Sequence, residues 1–278
     1  MSKVWLITGA ARGMGRAITE TVLKNGASVA AITRKDNDLD LSEQYGNRFL
    51  HLTLDISNTD EKLFENAVKK AVEYFGRIDV LVNNAGHGRI TNFEETSEKN
   101  IREIFELNVF GLMRMTRAVL PTMREQRSGH IFNIASAAGY CAGPVAYHTS
   151  KYAVTGFSTC LAFELAPFNI NVTNVAPGLF RTNFYDKGAM NTEADIHITD
   201  YDAVRWQNDF VRNNSNHEQP GDPVKLSELI YEVSGAENPP LHLPIGADAV
   251  NSAMGLAKKI TEDVSKWKEK AENTNYDK

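Results

Sequence analysis

Cysteine is scarce in this chain: Cys141 and Cys160 are the only two among 278 residues. Two thiols are too few for a disulfide framework or a four-ligand zinc site, and no metal is expected. An excess of basic residues is missing as well. Thirty Lys and Arg stand against 35 Asp and Glu, a formal net charge of -5. A general nucleic-acid binder needs a basic face, so no nucleic-acid partner is expected, although a local basic pocket for one phosphate remains open. No apolar run approaches the ~18 residues of a membrane span, which argues against a membrane partner. The stretch from Met1 to Val4 leads straight into a short apolar run without the longer core or cleavage site of a signal peptide. The expected location is cytoplasmic. Internal repeats and low-complexity tracts are also lacking.

What is present is a regular alternation. Val4 to Thr8, Ser28 to Thr33, Phe49 to Leu54, Asp79 to Asn83, His130 to Ala135 and Ile170 to Val175 read as strands. Between them, Gly13 to Asn25, Thr59 to Phe75, Ser97 to Met123 and Tyr147 to Leu165 read as helices. Several strands are unbroken apolar runs, as a sheet covered on both sides requires. The pattern predicts an α/β fold, a doubly wound parallel sheet of Rossmann type in a single domain, with helices on both faces. In such sheets ligands sit beyond the carboxyl ends of the strands.

After Val175 the rhythm breaks. Residues 179–222 are polar and irregular, with Phe180, Phe184, Tyr185, Tyr201, Trp206 and Phe210 scattered among them. A helix is expected from Val224 to Val233. Pro239 to Pro244 allows only a short edge strand or extended segment. A last helix from Asp248 to Lys270 repeats apolar residues at three- and four-residue spacing: Val250, Met254, Ala257, Ile260, Val264 and Trp267. That stripe is expected to pack on its own domain or on a sister subunit rather than on a membrane.

The first strand runs at once into Thr8-Gly9-Ala10-Ala11-Arg12-Gly13-Met14-Gly15 and a helix. Glycine permits a sharp turn and a close backbone approach to a pyrophosphate, and the helix N-terminus offers free N–H groups. A tight turn without a ligand would use the same residues, but the strand–turn–helix context favours the phosphate reading.

The spacing Gly-x-x-x-Gly-x-Gly after a threonine resembles the short-chain dehydrogenase/reductase family. Further motifs follow in that family's order. They are Asn83-Asn84-Ala85-Gly86, Asn108 in the long helix, Ser136 after the fifth strand, Tyr147-His148-Thr149-Ser150-Lys151, and Pro177-Gly178 with Thr182. The likeness is close over residues 3–182 and looser beyond. It implies one nicotinamide-dependent oxidoreductase domain over residues 1–278, of the ordinary type. Residues 183–222 would be a substrate lid and 248–272 a C-terminal helical extension.

On this resemblance Gly9, Arg12, Gly13, Met14 and Gly15 bind the cofactor. Asp55 and Ile56 resemble the adenine contact, a helix cap for the segment near Thr59 being the other reading of Asp55. Asn83 is grouped with the cofactor residues, although in the family it largely holds the sheet together. Ala85 and Gly86 line the cofactor, Pro177 and Gly178 join them, and Thr182 meets the nicotinamide carboxamide.

The second strand ends Ile32-Thr33-Arg34-Lys35, with no carboxylate where a non-phosphorylated cofactor's ribose would find one. A guanidinium fork matches a 2′-phosphate, and the resemblance implies that Arg12 and Arg34 mark the phosphorylated cofactor, NADP(H). Lys35 is open between a phosphate contact and a solvated charge. Asp36 and Asp38 come late for the strand-end acid.

Tyr147 and Lys151, four apart, share one helix face. With Ser136 they form the expected catalytic set. A nearby ammonium and a cationic nicotinamide are expected to lower the phenol below its ordinary value of about 10. Tyr147 would then be general acid in reduction and general base in oxidation. Lys151 would tune it and grip the nicotinamide ribose, serving cofactor and catalysis at once. Ser136 would stabilise the substrate oxygen, and Asn108 would support a water that returns protons to solvent. Ser136 and Tyr147 are eleven residues apart, so the loop from Ala137 to Ala146 must be tight. Ser150 reads as a packing residue and His148 as a helix-face residue, while His87 is a candidate substrate contact.

The reading that follows is an NADP(H)-dependent oxidoreductase interconverting a carbonyl and an alcohol, a carbonyl reductase. Its partners would be a small-molecule substrate and further copies of itself, as a dimer or tetramer. Ketones, aldehydes, steroids, quinones and polyketide-like ketones all remain open as substrates. Two rivals stand beside it: an NAD-dependent alcohol dehydrogenase of the same family, and a non-catalytic NADP(H)-binding regulator. The presence of Asn108, Ser136, Tyr147 and Lys151 together argues against the regulator.

Overall fold

Successive side chains of a strand point to opposite faces, and here both faces are dry. In β1 (Val4–Thr8), Trp5 and Ile7 enter one apolar cluster and Leu6 enters another. This is why the run reads as continuously apolar. A computed structural model describes residues 2–36, 39–186, 190–204 and 217–276. Asp38, Trp206, Phe210 and the 205–216 part of the expected lid lie outside the described residues.

The remaining elements follow in chain order. They are α1 (Gly13–Lys24), β2 (Ser28–Thr33), α2 (Ser42–Tyr45), β3 (Phe49–Thr53), α3 (Glu61–Phe75), β4 (Val80–Asn83) and β5 (Gly88–Arg89). Next come α4 (Glu98–Phe105), α5 (Leu112–Gln126), β6 (Gly129–Ile134), α6 (Val145–Leu165), β7 (Ile170–Pro177) and β8 (Met190–Asn191). The chain closes with α7 (Pro223–Ser234), β9 (His242–Ile245) and α8 (Ala247–Glu272). Seven strands pair in parallel in the order β3-β2-β1-β4-β6-β7-β9. Strand order reverses between β1 and β4, so a crevice opens at their carboxyl ends.

On one face α1 and α7 bring Ile18, Val22, Leu226 and Ile230 against Trp5, Val80 and Phe132. On the other, α3, α5 and α6 bring Phe64, Val119 and Leu161 against Leu6, Leu81 and Ile131. The expected doubly wound sheet with helices on both faces is therefore the fold observed. The edge strand β9 carries Pro244, which pairs with Ala176 on its one bonded side.

Three features differ from the sequence expectation. The long helix expected from Ser97 to Met123 is two helices, α4 and α5, joined by a widened π turn at Glu106–Gly111. A small parallel pairing of β5 with β8 sets Gly88 against Met190 and Arg89 against Asn191. Finally, of the two covers expected for the α8 stripe, its own domain or a sister subunit, the first is not supplied by the described residues. Ala249 is its buried residue, whereas Met254, Ile260, Val264 and Trp267 are 53% to 68% exposed.

Candidate active site

Where β1 ends, the chain must turn within a few residues and leave room for a ligand. Gly9 and Gly13 take positive φ values of 66° and 57°, which side-chain-bearing residues rarely adopt. A Cβ on Gly15 would lie 2.2 Å from the Gly9 carbonyl oxygen, so its glycine serves packing of helix on turn. The first amides of α1 have no intrahelical acceptor, no side-chain cap and no acid in the first turn. The N-terminal end of α1 thus presents unneutralised N–H groups to the crevice.

Neighbouring strands hold this turn. Thr8 Oγ1 accepts from the Asn84 and Ala85 amides at 3.0 and 3.1 Å. Asn84 Nδ2 donates to the carbonyls of Thr8 and Gly9 at 3.0 and 3.1 Å. Asn84 is therefore the residue that pins the glycine turn, a role the sequence reading did not give it. Asn83 faces the other way. It is buried and donates to Thr116 and Asn133, each at 2.9 Å. It holds the sheet and does not line the crevice.

The crevice is a cleft of about 1350 Å³. Gly9, Arg12, Gly13, Met14, Arg34, Asp55, Ile56, Ala85, Gly86, Ser136, Tyr147, Lys151, Pro177, Gly178 and Thr182 all line it. Gly15, Asn83 and Asn108 support it from behind. At the end near β2, Arg12, Arg34 and Lys35 are exposed and line the same wall. Asp36 accepts a hydrogen bond from Thr53. The Asp55 carboxylate accepts from the amide and hydroxyl of Ser57 at 2.9 and 2.7 Å. The cap of α3 is Asp60, through the Lys62 amide, so the capping alternative for Asp55 falls away.

The chemical end is built by the carboxyl ends of β6 and β7 and by the first turns of α6. Ser136 follows β6, and its oxygen accepts from the Ala138 amide at 3.1 Å. The turn Ala137–Gly139 lies so close on α6 that a Cβ on Gly139 would sit 2.7 Å from Thr155 Oγ1. This is how a separation of eleven positions suffices from Ser136 to Tyr147. Tyr147 hydrogen-bonds with Ser136. Lys151 Nζ lies 5.8 Å from the Tyr147 ring centroid and donates to the Ile134 carbonyl at 3.0 Å.

Burial raises the Tyr147 phenol well above its ordinary value, partly offset by the Ser136 hydrogen bond. Burial also lowers the Lys151 ammonium, to about 8. The expected lowering of the phenol is thus absent in the protein alone, because desolvation outweighs the nearby charge.

Behind Lys151 the π turn buries Asn108. Its Nδ2 donates to the His87 carbonyl at 3.0 Å and to Ser150 Oγ at 3.1 Å, and its Oδ1 accepts from the His87 amide at 3.0 Å. Ser150 in turn donates to the Tyr147 carbonyl at 2.7 Å. Ser150 is more than packing, since it ties the Asn108 turn to the helix that carries Tyr147. His87 and His148 both line the cleft, each made harder to protonate by burial. Phe184 closes over the site with its ring 5.9 Å from that of Tyr147. Asp248, also missed in sequence, accepts from the Leu179 amide at 2.7 Å and fixes the Pro177-Gly178 turn.

This geometry has counterparts. The family model described as short chain dehydrogenase matches residues 3–192. The chain belongs to the short-chain dehydrogenase/reductase family. An oxidoreductase of Botryotinia fuckeliana, BOA17, is 37% identical over 273 residues, 97% of this chain and 98% of that one. A short-chain dehydrogenase from Streptomyces avermitilis superposes with a TM-score of 0.88 at 36% identity, covering 99% of both chains. The closed form of a serine dehydrogenase complexed with NADP+ gives 0.70 at 28% identity, over 86% of this chain and 93% of that one. Short-chain dehydrogenases are oxidoreductases, and nicotinamide-bound relatives support a nicotinamide cofactor here. The glycine cradle, the bare N-terminus of α1 and the cleft volume fit such a cofactor.

Among the described residues no group of three or more His, Cys, Asp or Glu could hold a metal ion. Likewise, no helix among them is long and apolar enough to cross a membrane.

Proposed function

We propose that the chain is an NADP(H)-dependent carbonyl reductase, interconverting a carbonyl and an alcohol with Tyr147 as general acid and base. The observation that carries this reading is the convergence of Ser136, Tyr147 and Lys151 on one cleft whose far wall holds Arg12 and Arg34. The bound nicotinamide would supply or accept the hydride.

The residues divide the remaining work. Arg12 and Arg34 offer two guanidinium forks to a 2′-phosphate. Asp36, the nearest acid, is engaged by Thr53, which weakens the NAD reading. The Ser136 oxygen accepts from the Ala138 amide while its hydroxyl donates toward the Tyr147 phenol, so a substrate oxygen seated between the two would take over that proton. A phenol held above its ordinary value stays protonated at neutral pH, as a general acid for reduction must. Lys151, bonded to the Ile134 carbonyl, is placed to grip the ribose. Asn108, the His87 carbonyl and Ser150 form the polar path behind it through which a proton would reach solvent.

Phe184 and Tyr185 give the substrate side an aromatic lining, suited to a ketone or aldehyde with an apolar body. Tyr152 and Phe163, eleven positions apart on one stripe of α6, are 38% and 85% exposed and support a homo-oligomer. The decisive experiment runs a carbonyl panel with NADPH and NADH beside Tyr147→Phe. Activity preferring NADPH and lost in the variant is expected. Full activity of Tyr147→Phe, or tighter binding of NADH, would sink the reading.

A further inference from the structure

We infer that α8 is a self-association element, pairing antiparallel with α8 of a second copy of this chain over residues 250–267. Only its first turns are held by the body. From Ala257 onward the helix stands in solvent, and among the described residues nothing covers its exposed apolar side chains. A long helix with such a stripe needs a partner face.

The sequence of the stripe says which face fits. Val250, Ala257 and Val264 recur every seven residues, and Ala253, Ile260 and Trp267 recur every seven between them. This is the a/d pattern of a coiled coil, spanning about 26 Å. Two copies laid antiparallel about a two-fold axis between residues 258 and 259 set Val250 against the second copy's Trp267. In the same register Ala253 meets Val264 and Ala257 meets Ile260, and the symmetry repeats each layer. Large residues face smaller ones throughout, which fills the seam evenly. A parallel pair would instead stack tryptophan on tryptophan and leave two alanine layers loose. The antiparallel arrangement is isologous and closes at two copies.

Charge selects a protein partner over a lipid surface. From Ala247 to Glu272 the helix carries five lysines and five acids. Lys258 lies 3.9 Å from Glu262, Lys259 3.0 Å from Asp263 and Lys268 3.8 Å from Glu272. An interfacial helix on anionic lipid needs a basic polar face, and this one is neutral.

The test uses the full chain and the double variant Ile260→Glu with Val264→Glu. Both positions are solvent-facing, and glutamate is a good helix former, so circular dichroism should be unchanged. Light scattering should show the mass fall by half at a concentration where the parent is fully associated. An unchanged mass overturns the proposal.

Cysteine trapping tests the register independently, in a Cys141→Ser, Cys160→Ser background. Mixed Ala253→Cys and Val264→Cys chains should form a heterodisulfide on oxidation, while Ala253→Cys alone should not cross-link. Cross-linking of Ala253→Cys with itself, or no heterodisulfide, overturns the antiparallel pairing. Flotation with anionic vesicles should retain nothing. Vesicle binding lost in the double variant, with mass unchanged, would assign the stripe to a membrane surface instead.

Discussion

In the proposed reaction Tyr147 is the general acid and base, and its environment makes a specific demand. Its phenol is buried beside Ser136 and in ring contact with Phe184, so deletion of the hydroxyl leaves the packing in place. Tyr147→Phe should therefore lower kcat by about 10²–10⁴-fold while the affinity for NADPH, read by fluorescence titration, stays within about twofold. At the far end of the cleft, Arg34→Asp should weaken NADPH by about 10–100-fold, the loss of one charge-assisted contact plus a repulsion. The same variant should leave NADH binding unchanged or improved. Competitive binding of the two cofactors checks it, and equal losses for both would remove Arg34 from the 2′-phosphate site.

At the scale of elements, the site depends on two devices that join distant segments. The first is the π turn at Glu106–Gly111. Gly111 sits on the Ile56 backbone, and a Cβ there would lie 2.2 Å from the Ile56 carbonyl oxygen. That oxygen cannot swing aside as a side chain could. Gly111→Ala should cost about 1–3 kcal/mol in urea unfolding, and should weaken cofactor binding because Ile56 lines the cleft.

The second device is the β5–β8 strap. Buried Arg89 donates to the Glu193 carbonyl at 2.8 Å and lies 3.1 Å from Asp195, which also accepts from the Ser97 amide. The Ser97 amide and the Asn100 side chain, with Arg89 adding less, lower the Asp195 carboxyl to about 2. Asp195→Ala should raise KM with kcat little changed, and should speed amide exchange over residues 190–198. A fixed KM would show that the strap does not position residues 190–198 for substrate binding.

Legibility divides along the same line. The strand–helix order and the glycine turn were readable because each is local, in period or turn chemistry, whereas the Tyr147–Lys151 pair was readable only through the family resemblance that set it beside the glycine turn and Ser136. The π turn was not, since one extra residue in a turn leaves the apolar pattern of 97–123 unbroken. Asp248 was not either, because its contact with Leu179 joins segments some seventy positions apart in the chain. The fate of the α8 stripe was unreadable for a third reason: periodicity shows that a face is apolar but not what covers it.

For the molecule as a whole, Lys151 and His130 are the two bases that burial shifts furthest, and both tie stability to pH. Lys151 loses its proton at about 8 in the fold, against an ordinary 10.5, because burial penalises the ammonium. Between those values the unfolded chain binds more protons, so the stability of the cofactor-free protein rises with pH through this window. The full span corresponds to about 3 kcal/mol, and the raised Tyr147 opposes it once unfolded tyrosine ionises near ~10.

His130 acts on the acid side. It is buried against Phe132, its Nε2 lies 2.9 Å from Thr173 Oγ1, and burial lowers it to about 3. The unfolded chain takes up that proton first, so stability falls as pH drops from about 6.5 towards 3. Urea midpoints between pH 4 and 10 should therefore climb on both limbs. His130→Gln should make the acid limb shallower and leave the alkaline limb as it is, the remainder being carried by His87 and His148, whereas Lys151→Met should flatten the alkaline limb alone and abolish turnover. Adding NADPH should also flatten the alkaline limb, because a cofactor that engages the ammonium keeps it charged in the fold. A rise above pH 8 that survives Lys151→Met would mean the lysine is not the group whose burial sets it.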